Sequence, residues 1–248
     1  MFFLTICKTS ITLLLLFAFP RCIVASTAFY YPLFKYDVER VSNIYDTLRG
    51  TIIGSIVDAH NSEIGLNIAL RADVERQQAI LFLSMNSSFV EESSQECRNW
   101  GDYDVCVATS IIKDYLTAEA DLVKMIHKIS ILGGNFDITV AGHSRGAALA
   151  AILSFILPGK LNLVLFGCPP LGNKYFNERL HRNAKSLVHV VWKEDPVPVW
   201  KQGHNSPMFE PIVPLVRHLS RTAYVVEKNA TVQAINPQHL IDHYMYFT

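Results

Sequence analysis

The chain has 248 residues, half of them hydrophobic, with 22 basic and 22 acidic side chains. That length suits one α/β domain with a sizeable core, and the composition is too apolar for a disordered protein. The charge is balanced and no basic cluster stands out, which excludes a nucleic-acid-binding footprint.

Residues 1–26 read as a targeting segment. Lys8 precedes an apolar run at residues 11–19, Pro20 and Arg21 interrupt it, and Val24, Ala25 and Ser26 offer a small-residue cleavage site. The run is short for a bilayer span. A signal peptide cut near Ser26 or Ala28 is expected, which leaves residues 27–248 as a single secreted domain. The alternative is an uncleaved signal anchor that holds the protein at a membrane. Lys8 and Arg21 are the only charges in the first 26 residues, so the remainder carries 20 basic and 22 acidic side chains and a net charge of −2.

An oxidising compartment changes how the cysteines read. Cys7 and Cys22 would leave with the signal. Cys97 and Cys106 bracket a short polar loop and are the expected disulfide. Cys168 is left as a buried thiol. It follows an apolar run and precedes Pro169-Pro170, with no helix N-terminus to lower its pKa, so it is a poor nucleophile. Asn86-Ser87-Ser88 and Asn229-Ala230-Thr231 are glycosylation sequons of the same compartment.

Along the chain, residues 38–48 suit a short helix. Residues 51–57, 64–70 and 79–83 read as strands. Residues 86–103 are polar and acidic, with Glu91, Glu92 and Glu96, and read as a long surface loop or lid. Ile112, Tyr115, Leu122, Val123, Ile126 and Ile129 recur at helical spacing, and Gly133-Gly134 stops that helix. Residues 137–141 form a short strand, and residues 147–157 an alanine-rich helix. The unbroken apolar run at 161–166 suits a strand buried on both faces. A helix at 173–182 and a strand at 187–192 follow. Strands alternating with helices predict a mainly parallel sheet with helices on both faces.

Gly142-His143-Ser144-Arg145-Gly146 carries the chemistry. Gly-x-Ser-x-Gly alone is weak, since chance produces it in roughly one chain in ten of this length. Here a strand runs directly into it and a helix leaves it, the setting of a nucleophile elbow. The glycines and the alanines at 147, 148, 150 and 151 allow the backbones to approach closely. The turn also aims the serine hydroxyl at a helix N-terminus, where free amides favour developing negative charge. A serine needs a base, and the base needs an orienting acid. Downstream, Asp195 sits in Glu194-Asp195-Pro196-Val197-Pro198, just past a strand, and His239 and His243 come late. Glu194 is the alternative acid. His143 is expected to be a packed neighbour of its own serine, not its base. The two late histidines could also be read as metal ligands on one helical turn. The zinc-hydrolase pattern needs Glu after the first of them, however, and this chain has Leu240.

Four segments resemble, in order, the class 3 lipases, the fungal-type triacylglycerol lipase and feruloyl esterase family. These are Thr139-Val-Ala-Gly-His-Ser-Arg-Gly-Ala, Phe166-Gly-Cys-Pro-Pro-Leu-Gly-Asn173, Asp195-Pro-Val-Pro198 and Asp242-His243-x-x-Tyr246-Phe247. The resemblance implies an α/β-hydrolase fold, a triad of Ser144, Asp195 and His243, and neither cofactor nor metal. Its implied partner is an ester, foremost an acylglycerol at a lipid–water interface. Phospholipase or short-chain or aryl esterase activity is the alternative, and an inactive lipase-like binding protein is a rival of another class. The chain also departs from the family. Arg145 stands where Leu or Met is usual, at the residue whose backbone N–H should serve the oxyanion. Pro170 replaces an arginine. The family's Arg-Gly-Ser/Thr is absent, and Ser84-Met85-Asn86 takes its position, which makes the backbone amide of Asn86, or else of Met85, the expected second oxyanion donor. The polar stretch 88–97 replaces an apolar lid. A glycan on Asn86 would crowd that pocket, so Asn229 is the expected glycosylated residue.

Overall fold

The computed structural model describes residues 55–61, 66–85, 95–99, 104–131, 135–157, 161–200, 209–219, 224–231, 237–243 and 246. The signal segment, the helix expected at 38–48 and Asn86 lie outside these residues. Among the described residues, no helix is long and apolar enough to cross a membrane.

Among the described residues, eight strands form one sheet. They are β1 (Ser55–Asn61), β2 (Leu66–Asp73), β3 (Gln78–Met85), β6 (Asp137–His143), β7 (Leu161–Phe166), β8 (Ser186–Trp192), β9 (Leu215–His218) and β10 (Tyr224–Glu227), in that spatial order. From β3 to β9 neighbours run parallel. Both ends close with antiparallel pairs. The central strand β7 is buried along its whole length, as an unbroken apolar run requires when both faces are covered.

Three long helices, α1 (Thr109–Ile131), α2 (Arg145–Ile156) and α3 (Lys174–Asn183), share one apolar cluster with alternate residues of the sheet. Leu81 and Leu83 of β3 and Leu163 and Leu165 of β7 point into it. The intervening residues Ile80, Phe82, Val164 and Phe166 form a second cluster on the other face, which Tyr246 joins. This alternation is the two-residue period of a strand placed between two layers.

Within the stretch read as loop, Gln95–Asn99 forms strand β4, paired antiparallel with β5 (Asp104–Ala108). Cys97 and Cys106 face each other in that register and are joined by a disulfide, while Cys168 is a buried free thiol. The strand escapes a polarity-based reading because Gln95, Glu96, Arg98 and Asn99 are all polar. The hairpin is clamped to the start of α3. Asn173 caps that helix by accepting from the Phe176 N–H, its Oδ1 also accepts from the Cys106 N–H, and its own N–H donates to the Cys106 carbonyl.

Helix α1 buries Ile111, Tyr115, Ala118, Leu122, Met125 and Ile129. Val123, expected in that stripe, is 50% exposed. It falls one residue off the 3–4 spacing that Ala118 and Met125 keep. Asn229, in the segment after β10, is exposed.

Candidate active site

Strand β6 delivers the backbone into a tight turn at Ser144, whose φ is 57° and ψ −125°. A non-glycine residue rarely takes a positive φ, and such strain persists only where the surroundings enforce it. They do so on three sides. A Cβ on Gly142 would lie 2.5 Å from the Gly146 carbonyl oxygen, and one on Gly146 would lie closer still to that of Leu83. The Ser144 N–H donates to the Phe166 carbonyl at 2.9 Å, which ties the turn to the end of β7. Helix α2 starts at once, with Ala147, Ala148, Ala150 and Ala151 fully buried against the sheet.

As the first residue of α2, Arg145 has an N–H with no carbonyl one turn earlier to receive it. That donor lies beside Ser144 at the positive end of the helix dipole. In the β3–β6 register Ser84 pairs with His143, so the chain after Ser84 leaves the sheet level with Ser144. Ser84 and Met85 thus end β3 beside the elbow, and Asn86 lies outside the described residues.

The acid and the late histidine come together on the far side. Asp195 follows a turn in which its N–H donates to the Trp192 carbonyl, with Lys193 at φ 43°. His243 closes the short helix α4 (Leu240–His243). The Asp195 and His243 side chains are 0% and 1% exposed, and His243 Nδ1 lies 3.0 Å from Asp195 Oδ2. A carboxylate accepts only, so Nδ1 carries the proton and Nε2 is the ring atom available as a base. Asp195 Oδ2 also accepts from the Tyr246 hydroxyl at 2.5 Å, and Oδ1 accepts from the Val197 N–H at 2.9 Å. A carboxylate buried this deeply needs its lone pairs met in this way. Burial first, then the Asp195 charge and hydrogen bond, raise the Tyr246 pKa well above the usual tyrosine value, so its proton stays in place.

His143 connects the two sides. Its ring stacks on that of His243 with centroids 4.7 Å apart, and its Nε2–H donates to the His243 carbonyl at 2.9 Å. Burial, and then the neighbouring His243, lower its pKa to about 3. It is therefore a neutral support at working pH. Gly167, the residue after Phe166, has φ +55°, and a Cβ there would lie 2.8 Å from Asp195 Oδ2, 2.9 Å from the Tyr246 hydroxyl and 3.0 Å from His243 Cε1. Ser144 is thus joined to the pair through both neighbours, His143 along the chain and Phe166-Gly167 across the sheet.

Of the other expected residues, Glu194 lies outside the acid's position. Its N–H donates to Asp242 at 3.4 Å, which links the acid loop to α4. His239 lies in a 3-10 turn before α4. The Cys168 N–H donates to His189 Nε2 and His189 Nδ1–H donates to the Ile212 carbonyl, while burial pushes the thiol pKa up and leaves it inert. In the sequence alone, Tyr246 and Gly167 carry no role and Arg145 has no partner. The signal for Gly167 was a glycine directly after a fully buried strand, a common mark of close approach. Tyr246 was visible only as a motif position.

The sequence matches the class 3 lipase family over residues 70–202. The fold is similar to lipase II from Rhizopus niveus (16% identity, TM-score 0.65, 97% of this chain and 96% of that one). It is also similar to a mutant form of MDLA from Penicillium cyclopium (15%, 0.62, 97% of each chain) and to the Rhizomucor miehei lipase propeptide complex (13%, 0.60, 97% and 81%). No curated protein matches the sequence. The fold is that of the α/β-hydrolases. The chain belongs to the class 3 lipase family and is a carboxylic-ester hydrolase of lipase type.

Proposed function

We propose that the protein is a secreted serine hydrolase that cleaves acylglycerol esters, with Ser144 as nucleophile, His243 as base and Asp195 as its orienting acid. The fully buried Asp195–His243 pair, set beside a strained serine turn at the head of an apolar helix, carries this reading.

Ser144 Oγ attacks the ester carbonyl while His243 Nε2 takes its proton. Asp195 fixes the Nδ1–H tautomer and stabilises the imidazolium that forms. The carbonyl oxygen becomes an oxyanion facing the Arg145 N–H and a second donor from the segment after β3, with Asn86 proposed. Collapse expels the alcohol, which leaves with the proton from His243. Water then attacks the acyl-enzyme with His243 again as base, releasing the acid and restoring Ser144. Neither metal nor organic cofactor enters any step.

The test is turnover of dispersed tributyrin, a short-chain phosphatidylcholine and a p-nitrophenyl ester by the full chain. Acylglycerol cleavage above phospholipid cleavage is expected, and both should vanish in Ser144→Ala. Preference for the phospholipid would move the substrate class. Loss of all turnover, with binding retained, would favour the inactive binding protein. In the secreted material, a mature N-terminus after residue 26 and a glycan on Asn229 but not on Asn86 are expected from peptide mass spectrometry.

A further inference from the structure

Helix α2 breaks a local rule at its first residue. The rest of it is apolar or small, with Ser154 as its one hydroxyl, and it packs against β3, β6 and β7. Arg145 sets a cation at the positive end of its dipole, where anions are favoured. Departures of this kind are expected at functional positions. The guanidinium turns toward α1, where Nε donates to Asp114 Oδ2 at 3.0 Å and Nη2 donates to the same oxygen.

Topology places this pair at the reacting end of the molecule. Helix α1 packs against α2, β2, β4 and β5, and it ends at Ile131 before β6 begins at Asp137. Asp114 is one turn into α1, and Arg145 follows Ser144 directly. The ion pair therefore joins the second turn of α1 to the first residue of α2, one residue from the nucleophile. Its side chains are 10% and 17% exposed. Both charges are mostly withdrawn from water yet still reach the surface.

An ester whose carbonyl oxygen sits at the Arg145 N–H has its reacting carbon within one residue of this pair, and an acyl substituent that extends toward α1 meets it. Against an apolar wall, each methylene that leaves water strengthens binding about fourfold. Against a guanidinium–carboxylate pair that gain disappears. An alkyl chain covering the pair strips water from two charges and returns no hydrogen bond. A two- to four-carbon or polar acyl group ends before that cost arises.

We propose that the Arg145–Asp114 ion pair is a specificity element that restricts this hydrolase to short or polar acyl groups. This deepens the ester-hydrolase reading above and rests on it.

The test is kcat/KM on p-nitrophenyl acetate, butyrate, octanoate and laurate, with active sites counted by phosphonate titration. Wild type should peak at acetate or butyrate and fall at least tenfold by octanoate. Arg145→Leu with Asp114→Leu removes both charges together, so neither is left buried alone. It should raise the octanoate-to-butyrate ratio at least tenfold. Arg145→Lys keeps an ion pair and should keep the wild-type order. If the double leucine variant fails to fold, Arg145→Gln with Asp114→Asn should shift the ratio in the same direction by a smaller factor. A wild type that prefers octanoate or laurate overturns the proposal. So does a charge-free variant with the wild-type order at titrated sites. Absence of any ester turnover or phosphonate labelling in wild type overturns the hydrolase reading itself, and this proposal with it.

Discussion

Around Ser144 the chain is held by backbone touching backbone, whereas around His243 it is held by buried polar groups. On the first side Gly142 and Gly146 have no room for a Cβ, and four alanines seat α2 against the sheet. On the second, Asp195, His243 and Tyr246 are all buried, and the acid is bonded to both of the others. Shape fixes the proposed nucleophile and satisfied charge fixes the proposed base. Gly167 is where the two materials meet, a glycine whose missing Cβ leaves room for the acid, the base and the tyrosine.

The largest effects should come from removing the chemistry on either side. Ser144→Ala and His243→Ala should each lower kcat by about 10⁴-fold or more, since members of a triad act as a unit. His239→Ala should do far less. A more damaging His239 change in a folded protein would break the assignment of the base.

Gly167→Ala and Gly146→Ala sharpen the contrast. The first pushes a methyl into Asp195 and His243, and should cost about a hundredfold in kcat through misplacement of the base. The second drives a methyl into the Leu83 carbonyl, and should cost about 3 kcal/mol of stability in urea melts by overpacking. Equal effects on rate per folded site would show that the two sides are not separately built. Tyr246→Phe leaves Asp195 one donor short, and should cost about 2 kcal/mol of stability with a smaller loss of rate.

A further effect is read in acid. His143 and His189 have pKa values lowered to about 3 and about 4 by burial, against 6.5 for a free imidazole. Below pH 6.5 the unfolded chain binds protons that the folded chain refuses, so stability must fall as pH drops from about 6.5 toward 4. Each imidazole contributes about 1.4 kcal/mol per pH unit. His143→Gln should remove one of the two contributions, visible as a shallower fall in melting temperature between pH values of about 6.5 and 4.5.

The nucleophile side was readable in the sequence because its requirements are local. Close approach demands glycine and alanine at fixed spacing, and β6, the turn and α2 are contiguous. The partners of the other side lie 48 and 51 residues from Asp195. No periodicity links such positions, and only the resemblance to a family pointed to His243 over His239. Strand β4 was hidden by its polar side chains, and β9 and β10 by having four residues each, too few for a two-residue period to register. The Arg145–Asp114 pair, 31 residues apart, needed the packing of α1 on α2 before either residue had a partner.

The most direct test of the proposed mechanism is covalent labelling of the protein by a fluorophosphonate, with the modified peptide sequenced by mass spectrometry. One label on Ser144 is predicted in wild type, none in Ser144→Ala, and a much slower reaction in His243→Ala. Equal labelling of wild type and Ser144→Ala, or a label on any other residue, would contradict it.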